Sequence, residues 1–125
     1  MNNTFLLNDF YTVDKIEHQD NMVKATVSLN AAHSIFKGHF EQMPVVPGVC
    51  QTQIIKELLE TQMNKTLLMT KGDNIKFMGM IVPQQHPKVN VEISYSLAET
   101  TLKTDAKLYH ENTTFTKFKG EFVII

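Results

Sequence analysis

One stretch constrains the fold of this chain more than any other. The run VCQTQIIKELLETQMN, residues 49–64, holds neither proline nor glycine, in a sequence otherwise patterned for strands. It is rich in helix formers. Cys50, Ile54 and Leu58 recur at helical spacing, and Val49, Ile54, Ile55, Leu58, Leu59 and Met63 make a wide apolar face. Lys56, Glu57 and Glu60 are expected on the opposite, solvated side. Pro47 stands just ahead of Gly48, where a helix start tolerates proline. One long helix is therefore predicted from Gly48 to about Asn64.

The flanking segments alternate with period two. FYTVDKIEHQ and MVKATVSLN read as strands, and in the second Val23, Ala25, Val27 and Leu29 face one way. Asp20-Asn21 between them are turn residues, which predicts a hairpin. An irregular region follows, residues 31–47, punctuated by Gly38, Pro44 and Pro47. After the helix, TLLMTKGDNIKFMG reads as a strand interrupted by a Gly-Asp-Asn kink. KVNVEISYSLAE, TLKTDAKLYHE and TFTKFKGEFVII are further strands, joined by turns short enough to force antiparallel pairing. The expected class is α+β, with one long central helix against an antiparallel sheet. A chain of 125 residues is expected to be a single domain, 1–125, with a core that needs no covalent staples.

Bulk properties narrow the function. The net charge is −1 and all 12 basic residues are lysines, which argues against a nucleic-acid partner read by arginine forks. Cys50 is the lone cysteine, so no internal disulfide can form. The start of the chain lacks the basic region of a signal peptide. No stretch approaches the roughly 20 apolar residues of a membrane helix. A cytoplasmic location, with no membrane partner, is the expectation. His33 and His39 lie in an irregular segment without accompanying ligands at metal-binding spacing, so neither metal nor cofactor is expected. His86 and His110 are expected at the surface.

The loop before the helix reads Gly38-His39-Phe40, then Pro44-Val45-Val46-Pro47-Gly48-Val49. Downstream, DNIKFMGMIVPQQHPKVNVEI leads through a proline-bearing turn into a long strand. Together these segments resemble the hotdog-fold 3-hydroxyacyl-[acyl-carrier-protein] dehydratases of fatty-acid synthesis. Two positions depart from that pattern. Glu41 replaces the proline that usually follows His-Phe. Gln53 replaces the helix glutamate or aspartate, with its spacing from His39 intact.

Dehydrating a 3-hydroxyacyl thioester requires a base for the α-proton, a stabiliser for the thioester oxygen, and help for the departing hydroxyl. Histidine suits the first task because its pKa lies near working pH. A helix N-terminus suits the second because its backbone N–H groups point outward. The resemblance implies that His39 is the base and that Gly48 N–H holds the carbonyl, with Val49, Phe40 and Glu41 against the substrate. It places Gln53 at the acid position, where an amide can orient a hydroxyl but cannot supply a proton. Glu41 is either a substitute acid or an exposed loop carboxylate. Glu57, one turn beyond Gln53, is expected to be a solvent-facing helix charge.

Cys50 is expected to be inert core. Met69, Met78 and Met80 either line an acyl tunnel or, as methionines more often do, fill the core. Lys37, Lys71 and Lys76 either dock an acidic carrier protein or are solvated surface. The resemblance further implies an acyl-carrier-protein-bound acyl thioester as substrate, in fatty-acid or related polyene and lipid biosynthesis. It also implies at least a homodimer, with His39 of one subunit facing the helix of the other. A binding subunit without turnover and a hotdog acyl thioesterase are the alternatives.

Overall fold

A computed structural model of the chain describes residues 6–36 and 44–125. The elements are β1 (Tyr11–Gln19), β2 (Met22–Leu29), a 3-10 turn (Ser34–Phe36), α1 (Gly48–Met63), β3 (Leu67–Phe77), β4 (Lys88–Ala98), β5 (Thr101–His110) and β6 (Thr113–Ile124). The strands form one antiparallel sheet in the order β1-β2-β4-β5-β6-β3. This is the α+β hotdog arrangement that the sequence pattern implied: one helix against an antiparallel sheet.

Local chemistry accounts for the connections. Asp20 and Asn21 take left-handed φ of 53° and 60°, and so turn β1 tightly into β2. Asn64 ends the helix with φ 54°, and its N–H bonds the Glu60 carbonyl. The Gly-Asp-Asn kink is a pair of register shifts in β3, between Met69 and Lys71 and between Lys71 and Asn74. At that irregularity the Lys71 carbonyl closes on Gly120 of β6, leaving no room for a Cβ.

The alternation read from sequence holds in the core. Val23, Ala25 and Val27 of β2, Val89, Val91 and Ile93 of β4, and Leu102, Thr104, Ala106 and Leu108 of β5 are all buried toward the helix. Each large apolar side chain so buried contributes roughly 1.5–3 kcal/mol.

The helix itself departs from the expectation in two ways. Glu57 and Glu60, expected on a solvated face, are both fully buried. Val49, expected in the apolar face, is 74% exposed. The cause is geometric. An amphipathic reading assumes that one wide side of a helix meets water, but Cys50, Gln51, Ile54, Ile55, Glu57, Leu58, Leu59 and Glu60 are buried over most of its circumference, and Thr52, Gln53, Lys56 and Met63 on the remaining sector are half-buried. Val49 lies in the first turn on that remaining sector. Glu60 is accommodated by hydrogen bonding: its carboxylate accepts Leu67 N–H at 2.9 Å and lies 3.7 Å from Lys56 Nζ. It thereby ties the helix end to the start of β3. Among the described residues, no helix is long and apolar enough to cross a membrane.

Candidate functional site

The site begins at the start of α1. Pro47 carbonyl accepts the N–H groups of Cys50 (3.0 Å) and Gln51 (3.2 Å), so the N–H groups of Gly48 and Val49 precede the first intrahelical bond. Pro47 provides no side-chain cap and the first turn carries no acid, so neither offsets the positive end of the helix dipole. Phe77 lies over Gly48 so closely that a Cβ there would sit 2.6 Å from its ring tip.

The approach to the helix is held from within. Val46 N–H bonds Ile81 carbonyl at 2.8 Å, and the buried Gln51 donates from Nε2 to Val46 carbonyl at 3.2 Å. The Thr116 hydroxyl donates to Gln51 Oε1. The turn Val46–Gly48 is thus locked to β6. Sequence reasoning missed Gln51, since an amide in a helix gives no sign of burial by itself.

Val49, Gln53 and Glu57 lie four residues apart on one helix stripe. The stripe descends from exposed Val49, through half-buried Gln53, to Glu57 in the core. Gln53 Nε2 donates to Glu57 Oε2 at 2.7 Å. The same oxygen accepts Leu6 N–H at 3.0 Å, while Oε1 accepts Leu7 N–H at 2.9 Å and the Tyr11 hydroxyl at 3.0 Å. A buried carboxylate is tolerated because these donors replace water. Burial, and next the charge of Glu57, push the Tyr11 phenol far above its ordinary pKa, so it remains a donor. Burial first, then Glu57, also raise the Cys50 thiol. Cys50 is buried, as expected of inert core.

The remaining sequence-derived candidates fall as follows. His39, Phe40, Glu41 and Lys37 lie outside the described residues. The segment before them is anchored by His33, whose Nδ1 accepts Ile35 N–H at 2.9 Å and whose Nε2 lies 3.0 Å from Asp9 Oδ2. Phe36 is buried and its ring packs on Phe10. His86 is half-buried rather than on the surface, because its ring packs edge-on against Phe115 at 4.9 Å. His110 is also only partly exposed.

Met69, Met78 and Met80 do not fill the core: they are 41%, 56% and 62% exposed. Met78 and Met80 follow Phe77, which lies over the helix start, and with Val49 these side chains are open to solvent, whereas Met69 lies near the start of β3, toward the other end of the helix. Lys71 is exposed and lies 3.9 Å from Glu121. Lys76 is exposed beside Lys117, which in turn stands beside Lys107 across the sheet. These three lysines line a cleft of about 390 Å³ on the outer sheet face, away from Gln53. This cleft and the polar cluster therefore lie on opposite sides of the sheet. Among the described residues, no group of three or more His, Cys, Asp or Glu could hold a metal ion.

Comparison with known proteins bears on the family and the fold. A family model described as ApeI-like, ApeI dehydratase, matches residues 15–118. The chain belongs to the ApeI-like dehydratase family. A 3-hydroxyacyl-[acyl-carrier-protein] dehydratase FabZ of Clostridium botulinum is 29% identical to this ApeI-like chain over 96 residues, 71% of this chain and 67% of the relative. Among solved structures, the dehydratase heterocomplex ApeI:P of Xenorhabdus doucetiae aligns with TM-score 0.71 at 18% identity, over 89% of this chain and 96% of that one. A hypothetical thioesterase with coenzyme A from Streptococcus pneumoniae aligns with TM-score 0.63 at 11% identity, over 92% and 85% of the two chains. At these identities the structural likeness speaks for the hotdog fold of the ApeI-like chain, which dehydratases and thioesterases share.

Proposed function

We propose that the protein dehydrates 3-hydroxyacyl thioesters carried on acyl carrier protein to 2-enoyl thioesters. His39 takes the α-proton. The N–H groups of Gly48 and Val49 hold the thioester oxygen as charge develops on it. Gln53 holds the 3-hydroxyl. The imidazolium formed on His39 then returns its proton to the departing oxygen. The α C–H and C3–O bonds break, the C2–C3 double bond forms, and water leaves. The observation that carries this reading is the uncapped start of α1, with Gln53 one turn below Val49 on the same stripe, in a chain of a dehydratase family.

The active unit in this reading is at least a homodimer. The sheet has two edges, β1 and β3. β1 carries exposed Lys15 and Glu17 and a bulge, features that discourage pairing. β3 exposes Leu68, Met69 and Phe77, which favours a partner subunit there. The row Lys76, Lys117 and Lys107 places like charges side by side, an arrangement favourable to an acidic carrier.

Gln53 favours one further reading, an accessory subunit that binds the carrier and works with a second hotdog chain. An amide supplies no proton, and the ApeI relative from Xenorhabdus doucetiae is a heterocomplex. Incubating the purified protein with 3-hydroxyacyl carrier protein separates the readings. Enoyl product that disappears in His39→Ala supports the dehydratase. Carrier binding without product supports the subunit. Release of free carrier thiol indicates a thioesterase.

A further inference from the structure

We propose that Glu57 is a positioning residue that fixes the polarity of Gln53, so that Gln53 offers the substrate an acceptor, its carbonyl oxygen. The inference rests on the dehydratase reading of the site and adds how the hydroxyl is recognised.

An amide has a donating and an accepting end, and sequence cannot say which one faces a ligand. Here the choice is made inside the protein. Gln53 Nε2 lies 2.7 Å from Glu57 Oε2. A carboxylate only accepts, so turning the amide over would set two acceptors against each other. Glu57 cannot turn away to relieve that conflict. It is fully buried, and Leu6 N–H, Leu7 N–H and the Tyr11 hydroxyl fix both of its oxygens. One Nε2 proton is therefore committed to Glu57, and the carbonyl Oε1 is the accepting end of Gln53 left for a ligand.

Two consequences follow for substrate choice. A 3-hydroxyl can donate to Oε1, whereas a 3-oxo group or a 2-enoyl product cannot. The site should thus prefer 3-hydroxyacyl over 3-oxoacyl chains and release the enoyl product readily. Gln53 also cannot protonate the leaving oxygen, so that proton must come from another group.

The test is a double-mutant cycle of Glu57→Gln and Gln53→Met. It is read in kcat/KM for a 3-hydroxyacyl pantetheine thioester and in affinity for unreactive 3-hydroxyacyl and 3-oxoacyl pantetheine amides. Wild type should bind the hydroxy amide about tenfold more tightly than the oxo amide, the scale of one good hydrogen bond. Either single variant should bring that ratio close to one. Glu57→Gln should lower kcat/KM about tenfold in the wild-type background and less than about twofold once Gln53 is gone. An equal loss in both backgrounds means that Glu57 acts through the fold and overturns the proposal.

A wild type that binds the amides but never dehydrates would sink the dehydratase reading, and the binding ratio would still decide the role of Glu57. Should Glu57→Gln fail to fold, the side-chain amide NMR signals of Gln53 in the wild-type protein decide instead. One strongly downfield, slowly exchanging proton supports the pairing. Two solvent-like protons overturn it.

Discussion

Gln53 and Glu57, one helical turn apart, share a 2.7 Å hydrogen bond that joins a half-buried amide to a carboxylate with no exposed surface. The pair stands where the dehydratase resemblance places a single helix acid. The carboxylate is thus present but one turn deeper, held by the segment Leu6–Tyr11, and the amide stands between it and the site.

This pairing sets the outcome of restoring an acid. In Gln53→Glu two carboxylates would meet at hydrogen-bonding distance and share a proton. The variant should lose roughly 1–3 kcal/mol of stability at neutral pH, with the loss growing as pH rises and that proton is removed. Gln53→Glu/Glu57→Gln should recover most of it, because an acid–amide pair is rebuilt with its order reversed. Thermal unfolding of the two variants across pH checks both statements.

Tyr11 gives a pH dependence of definite sign. Its folded-state pKa is raised, chiefly by burial and then by the charge of Glu57, above the ordinary value of 10.0. The stability linked to this group is fully present below about pH 10 and is lost as pH rises beyond it. The tyrosinate absorbance of Tyr11, obtained as wild type minus Tyr11→Phe, should appear only as the chain unfolds in alkali. Tyr11→Phe should cost about 1.5–3 kcal/mol at neutral pH, the value of a hydrogen bond to a charged group.

Gly48→Ala separates stability from function at the helix start. The new Cβ would meet the tip of the Phe77 ring at 2.6 Å, but that ring is 53% exposed and can swing aside. Stability should change by less than about 1 kcal/mol, since alanine suits a helix better than glycine. Dehydration should fall at least about tenfold, because a methyl group then crowds the N–H groups proposed to hold the thioester oxygen. Paired unfolding and kinetic measurements check this.

The lysine row predicts a carrier-specific defect. Lys76→Glu/Lys117→Glu should raise KM for carrier-bound substrate at low salt by about tenfold or more and leave KM for the pantetheine thioester within about twofold. Equal effects on both substrates would assign the lysines to the fold instead.

Much of the architecture was legible in the sequence. The alternation in β2, β4 and β5, the Asp20-Asn21 turn and the limits of α1 each follow from local spacing. The polar cluster was not, because most of its members come from far apart: besides Gln53, the partners of Glu57 lie 46 to 51 residues away. A helix buried over most of its circumference also defeats the rule that its charges face water, which is why Glu57 and Glu60 read as surface. Met69, Met78 and Met80 misled in the opposite direction, since apolar residues on an open edge strand, as Met69 is, or just beyond it, as Met78 and Met80 are, look like core until the sheet order is known. Helical spacing alone did point to one link, the placing of Glu57 one turn beyond Gln53 on the same side.

The most direct measurement is mass spectrometry of 3-hydroxyacyl carrier protein after incubation with the purified chain. The dehydratase account predicts loss of one water from the acyl group, with the thioester intact, and no loss with His39→Ala. An unchanged 3-hydroxyacyl carrier, or one stripped to its free thiol, would contradict it.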